Sequence, residues 1–312
     1  MMDVNEKIYD VLILGGGPAG LSTTIYARRA NLQVLLIEKG IHGGLIFNTA
    51  EIDNYPGGVK GESGAEFSMR LAEQAKSFGP DTVTDEITGV ELDGEVKTLT
   101  GKAGVYRGRT LIIATGNVPR TLDVPGESEF TGRGVSYCAT CDGPFFTGLD
   151  IYVAGGGNSA LEEAVHLAKF GRKVTIVHRR DEFRADKAIQ EKIFRCNNVE
   201  FMLDTVVREL KGGDLLDAVV VENVRTGDVR EIHADAGSSF GFFVFVGMLP
   251  QTEIFEGKLA MEQGYIVTDE EMRTSIAGVY AVGDVRKKTL RQIVTAAADG
   301  AIAAVQCEKL LE

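Results

Sequence analysis

The chain has 312 residues, of which 33 are Lys or Arg and 45 are Asp or Glu, for a formal net charge of −12. That balance argues against nucleic acid or an anionic membrane surface as the main partner. With 44% hydrophobic and 25% charged residues, the composition is that of a soluble globular protein long enough for two domains with separate cores. No stretch is long and apolar enough to span a bilayer. The segment Met1–Tyr9 carries charges and runs straight into a strand, so a signal peptide is not expected and a cytoplasmic location is. In that compartment a pair of close cysteines is redox-active or metal-binding more often than structural.

In chain order, the first element is an apolar run at Tyr9–Leu14, read as a buried parallel strand. Gly15-Gly16-Gly17-Pro18-Ala19-Gly20 follows, then a helix over Pro18–Arg29 and a strand over Gln33–Ile37 that ends at Glu38. This is a βαβ unit with a dinucleotide fingerprint. Gly15 permits the tight turn, Gly17 lets a pyrophosphate approach the backbone, and Gly20 lets helix and strand pack closely. The helix N-terminus offers free N–H groups to phosphates, and Glu38 can accept hydrogen bonds from ribose hydroxyls. The fingerprint alone does not separate FAD from NAD. Further on, Thr110–Gly116 reads as a strand running into a turn at Ala114-Thr115-Gly116.

Cys138-Ala139-Thr140-Cys141-Asp142 comes next. Two cysteines at this spacing can close a small disulfide ring that opens without refolding. The same spacing is half of a zinc site, or an inert thiol pair. Zinc needs two more ligands, and Cys196, Cys307, His42, His166, His178 and His233 offer no paired spacing, so no metal is expected. Asp142 could shuttle a proton to a leaving thiolate. Its place in Asp142-Gly143-Pro144 also makes it a good turn residue.

The βαβ pattern then repeats. Ile151–Ala154 is the strand, Gly155-x-Gly157-x-x-Ala160 the turn, Ser159–Lys169 the helix and Lys173–Val177 the second strand. Aligning Gly15 with Gly155 places Gly17 on Gly157 and Glu38 on His178, which Arg179, Arg180 and Arg184 follow. A carboxylate there would repel a 2′-phosphate, whereas guanidinium groups would grip it, so this loop reads as an NADPH site. Near the C-terminus, Gly278–Asp284 is another strand, ending in Gly283-Asp284, and Gln292–Leu310 reads as a helix. These belong with the first unit. The expected fold is α/β, two Rossmann-like dinucleotide-binding domains with the second inserted in the first. The first domain comprises residues 1–117 and 248–312. The second, 118–247, carries the cysteine pair. The two crossings are candidate hinges.

Taken together and in this order, these motifs, with Phe183-Arg184-Ala185 and Arg291-Gln292, resemble low-molecular-weight thioredoxin reductases over essentially the whole chain. The resemblance implies a homodimeric FAD enzyme that passes electrons from NADPH through FAD and the Cys138–Cys141 disulfide to thioredoxin. It implies FAD contacts at Gly15, Gly17, Pro18, Ala19, Gly20, Glu38, Lys39, Gly43, Gly44, Leu45, Asn54, Ala114, Thr115, Gly116, Gly283, Asp284, Arg291, Gln292 and Ile293. NADPH contacts are implied at Gly155, Gly157, Asn158, Ser159, Ala160, His178, Arg179, Arg180 and Arg184, and catalytic roles at Cys138, Cys141 and Asp142. Leu45 departs from the family, which usually has Gln after the Gly-Gly pair. Related flavoproteins of the same fold take electrons from ferredoxin, or act as dithiol oxidases. Nicotinamide and cysteine pair both lie in the inserted domain yet need the same flavin, so a domain rotation between half-reactions is expected.

Overall fold

A computed structural model describes residues 7–48, 52 and 54–312. The chain divides into two compact units, Met1–Val118 with Leu249–Glu312, and Pro119–Met248. Where the chain crosses between them, the short strands Asn117–Pro119 and Met248–Pro250 pair with each other.

The first unit is built on a seven-stranded sheet. Ile8–Leu14 pairs in parallel with Val34–Glu38 on one side and with Val105–Ile113 on the other. Val11, Leu12 and Ile13 are all fully buried, as befits a strand with helices or sheet on both faces. The nine-residue strand Val105–Ile113 serves two neighbours along its other edge. Its first half pairs antiparallel with Lys97–Gly101, and its last three residues pair in parallel with Val279–Ala281. This second pairing brings the C-terminal segment back one strand away from Ile8–Leu14 and sets Gly283 against Ala19 of the glycine loop.

Helix Pro18–Arg29 leaves that loop and packs on the C-terminal helix Ile293–Leu311. Gly300 makes this approach possible, since a β-carbon there would collide with the Ala19 carbonyl. A third helix, Gly64–Ser77, starts at a capping box in which Ser63 and Glu66 exchange hydrogen bonds.

The second unit carries a five-stranded, all-parallel sheet around Asp150–Ala154, with Lys173–Val177 on one side and Gly241–Val244 on the other. Helix Asn158–Leu167 covers one face through Leu161, Ala164 and Leu167. A three-stranded antiparallel sheet, Thr205–Gly212, Leu216–Asn223 and Val229–His233, covers the other. Its Val207, Leu210 and Val219 pack with Tyr152, Phe240 and Phe242. Tyr152 meets Phe240 edge to face with centroids 4.9 Å apart. Among the described residues, no helix is long and apolar enough to cross a membrane.

Candidate functional site

The two glycine loops occupy equivalent places, at the carboxyl end of a central strand where a helix begins. In the first unit Gly15 has φ of 114°, and a β-carbon on it would collide with the Ala114 carbonyl. Gly20 is equally constrained, because a β-carbon would strike the carbonyl of Gly15. Gly17 is open: the nearest atom to a β-carbon there is the Gly44 α-carbon at 4.0 Å. Gly17 also precedes Pro18 at the start of the helix, so the free helical N–H groups border this gap.

Glu38 bends back over the loop. Its carboxylate accepts from the Gly16 amide at 2.6 Å and the Gly40 amide at 2.9 Å, with lone pairs left for hydroxyl donors. Gly43, with φ of 119°, donates its amide to Gly16 O at 2.8 Å, which draws the Gly43-Gly44 turn onto the loop. Lys39 donates to Gln251 Oε1 at 2.8 Å. Thr115 Oγ1 and its carbonyl both bond to Gln251, pinning the Ala114-Thr115-Gly116 turn. Asn54 donates to Gln292 Oε1 at 3.0 Å, Gln292 caps the C-terminal helix through Thr295, and Ile293 is buried. Leu45 is exposed.

Asp284 lies next to buried Val285 and Gly283, and burial pushes its carboxyl above the ordinary range, with Lys288 and Arg291 pulling the other way. Its Oδ1 is buried with no hydrogen-bond partner among the described residues. Four other buried side-chain atoms of the described residues share that condition: His42 Nδ1, Ser68 Oγ, Asn117 Oδ1 and Arg291 Nε. All five belong to the first unit. Buried polar groups left without partners cost roughly 1–3 kcal/mol each, so such a set within one unit fits a polar ligand. An open gap at Gly17 for phosphates and orphaned donors and acceptors for hydroxyls and ring atoms fit a bound dinucleotide.

Sequence reasoning missed His42, Ser68, Asn117 and Asp299. Asp299 accepts from the Gly283 amide at 2.9 Å and from Lys288 at 2.7 Å, with Arg286 at 3.3 Å, and so holds the Gly283-Asp284 turn. A signal existed for Asp299, a carboxylate set in the small-residue and apolar run Ala296–Val305 of its helix. None existed for Ser68, which reaches Gly43 only because its helix folds across the turn.

The second loop has the same outline. Gly155 has φ of 148°, and Gly157 faces open space. Ala160 is buried, Ser159 is exposed, and Asn158 exchanges two hydrogen bonds of 2.8 Å with Asp186. His178, expected among the NADPH contacts, is drawn under the loop. It is 5% exposed, its ring covers Gly156, and Nε2 bonds to the Glu182 carbonyl at 3.2 Å. A carbonyl only accepts, so Nε2 carries the proton. Burial, helped by the neighbouring arginines, pushes the imidazole pKa down and keeps the ring neutral. His178 therefore shapes the loop. Arg179, Arg180 and Arg184 point the other way: all three are exposed, and among the described residues their guanidinium groups have no partner.

Cys138 is disulfide-bonded, while Cys196 and Cys307 are free thiols. The Cys141 side chain lies outside the described residues. Ser136 organises the Cys138 end of the motif by accepting from its amide at 3.0 Å. One turn of helix, Ala139–Asp142, follows, and the Asp142 amide returns to the Cys138 carbonyl at 3.2 Å. Asp142 borders a cleft of about 290 Å³ whose rim includes Phe145, 79% exposed, and Leu215. Among the described residues no cluster of His, Cys, Asp and Glu could hold a metal ion.

The family model for pyridine nucleotide-disulphide oxidoreductases matches residues 9–300. The chain is 48% identical to the thioredoxin reductase of Peptoclostridium acidaminophilum, with 98% of each chain covered. It is 44% identical to that of Bacillus subtilis, covering 98% of this chain and 96% of the relative. The crystal structure of Lactococcus lactis thioredoxin reductase superposes with a TM-score of 0.83 at 44% identity, covering 97% of this chain and 99% of the other. The chain belongs to the pyridine nucleotide-disulphide oxidoreductase family, and within it to the thioredoxin reductases. It is a flavoprotein oxidoreductase whose cofactors are FAD and NADPH.

Proposed function

We propose that this enzyme reduces the disulfide of thioredoxin, with FAD held by the first unit and NADPH by the second. The observation that carries this reading is a pairing within the second unit. Cys138 is already disulfide-bonded there, and Arg179, Arg180 and Arg184, unpaired among the described residues, follow the strand after the open Gly157 turn. A hydride donor bearing a 2′-phosphate suits those guanidinium groups better than ferredoxin does.

When bound, FAD supplies a two-electron relay between the nicotinamide and the disulfide. The chain's own residues bind, orient and move protons. Gly17 and Gly157 leave room for phosphate groups, and Glu38 and Asp284 accept from hydroxyls. Cys138 pairs with Cys141 in the oxidised enzyme. Two electrons and two protons open that bond to two thiols. One thiolate then attacks the disulfide of thioredoxin to give a mixed disulfide, and the other thiol resolves it, closing the Cys138–Cys141 bond and releasing thioredoxin as a dithiol. Asp142 exchanges the proton of the departing thiolate. Phe145 and Leu215 offer apolar rim for the protein substrate to cover. The two units rotate about the crossings at 117–119 and 248–250 between half-reactions.

The enzyme works in the cytoplasm as a homodimer, without nucleic acid or membrane. Support for the dimer comes from a stripe on the C-terminal helix, where Val294, Ile302 and Val305 lie on one exposed face. Light scattering of the purified flavoprotein checks it. The reaction itself is tested by Cys138→Ser and Cys141→Ser. Both variants lose thioredoxin reduction and keep NADPH-dependent bleaching of the flavin. Disulfide reduction surviving in either would refute the assignment.

A further inference from the structure

Between Arg180 and Arg184 stand two acidic residues, Asp181 and Glu182. A carboxylate in the middle of a 2′-phosphate site works against it. Asp181 is not left bare. Arg225 donates to Asp181 Oδ2 through Nη2 and contacts Asp204 Oδ1 through Nε at 3.0 Å.

Arg225 comes from a different sheet, at the turn between the antiparallel strands Leu216–Asn223 and Val229–His233. The turn is fixed by its own chemistry. Asn223 Oδ1 accepts from the amides of Arg225 at 3.0 Å and Thr226 at 3.1 Å, an Asx turn. It is also docked to the segment that follows the parallel sheet. Val224 donates to the Asp204 carbonyl at 2.7 Å, and Asp204 donates to the Arg180 carbonyl at 3.1 Å. A continuous chain of backbone bonds thus ties the Arg225 turn to the arginine segment.

We propose that Arg225 is a positioning residue for coenzyme selectivity: it covers Asp181 so that the positive field of Arg179, Arg180 and Arg184 reaches a 2′-phosphate undiminished. This rests on the NADPH reading given above. Exposed ion pairs contribute little to stability. Their charges still shape the local potential at a neighbouring anion site, in a way that salt screens.

The test uses the flavin-loaded enzyme, with KM and kcat measured separately for NADPH and NADH at low and high salt. Arg225→Ala raises the KM for NADPH about 3- to 10-fold at low salt, less at high salt, with kcat and the NADH KM little changed. Arg225→Lys keeps most of the selectivity. Adding Asp181→Asn to Arg225→Ala restores the NADPH KM, because the carboxylate no longer needs covering. An unchanged NADPH KM in Arg225→Ala overturns the proposal. So does a double variant as impaired as Arg225→Ala alone, which would make Arg225 a direct phosphate contact. Arg179→Ala with Arg180→Ala, run alongside, separates the two levels. Loss of NADPH preference there with no effect at Arg225 sinks only this inference. No loss in that control sinks the NADPH reading and the inference with it.

Discussion

The two glycine loops share a backbone and differ in what surrounds them. Each opens with a glycine at positive φ, covers its second glycine with a side chain, and leaves its third open. In the first unit, among the described residues, one buried atom each of Asp284, Arg291, His42, Ser68 and Asn117 lacks a hydrogen-bond partner. Around the second loop stand the exposed guanidinium groups of Arg179, Arg180 and Arg184, which have no partner among the described residues. Buried orphans are costly until a ligand arrives, which favours a resident group held through many turnovers. Exposed cations bind more weakly and in a salt-dependent way, which favours a ligand that must leave each cycle. On the proposed assignment, that difference in surroundings matches a prosthetic group at the first loop and a co-substrate at the second.

The sharpest way to break that comparison is to fill each gap in turn. Gly17→Ala and Gly157→Ala both place a β-carbon in free space at ordinary φ, so both variants fold. The first purifies with its flavin affinity lowered about 100-fold, and the second keeps its colour but needs about 100-fold more NADPH. Flavin absorbance of the purified proteins and steady-state kinetics read the two effects. Gly20→Ala is the control that fails to fold normally, since its β-carbon would meet the Gly15 carbonyl.

A smaller effect is expected from the charges. Arg179→Ala with Arg180→Ala raises the NADPH KM about 10- to 100-fold and the NADH KM little, after allowance for solvent screening at exposed sites. An equal effect on both coenzymes would remove the 2′-phosphate from the second loop.

Much of the contrast between the two loops' surroundings was legible in the sequence. The repeat aligned Gly15 with Gly155, and the strands and helices of both βαβ units fell where the apolar runs and glycines put them. Replacement of Glu38 by the His178-Arg179-Arg180 segment marked the second loop as cationic. Three things were not legible. The edge strand Asp81–Thr84 and the antiparallel strands at 87–101 and 205–233 are partly exposed and only weakly alternating. His178 belonged by sequence with its arginines, yet a neutral ring beneath a glycine packs better than it binds. Ser68, Asn117 and Arg225 act through contacts made only after distant elements meet, and no local pattern announces them.

Asp284 gives a subtler test of the buried site. Its carboxyl is raised by burial, so the flavin-free protein carries a stability penalty at pH values above that raised pKa. The penalty is relieved as pH falls through it, when the carboxyl becomes neutral. Asp284→Asn should therefore weaken flavin binding about 10-fold while raising the melting temperature of the flavin-free protein and flattening this part of its pH profile. A lower melting temperature in both forms would mean that Asp284 is satisfied without ligand.

The smallest effect concerns the remaining cysteines. Cys307 is fully buried, and burial pushes its thiol up to about 12, whereas Cys196 is partly exposed. In the oxidised native enzyme a thiol reagent at mildly alkaline pH should label Cys196 and spare Cys307. Mass spectrometry of the labelled peptides decides it.

The division of labour between the loops is tested most directly by an anaerobic titration of the yellow protein. Stoichiometric NADPH is expected to bleach the visible flavin band, NADH at the same concentration to bleach it far less, and oxidised thioredoxin to restore it. Flavin that stays yellow with NADPH but is bleached by reduced ferredoxin, or reduced flavin that thioredoxin leaves colourless, would contradict the assignment of the second loop and of the cysteine pair beside it.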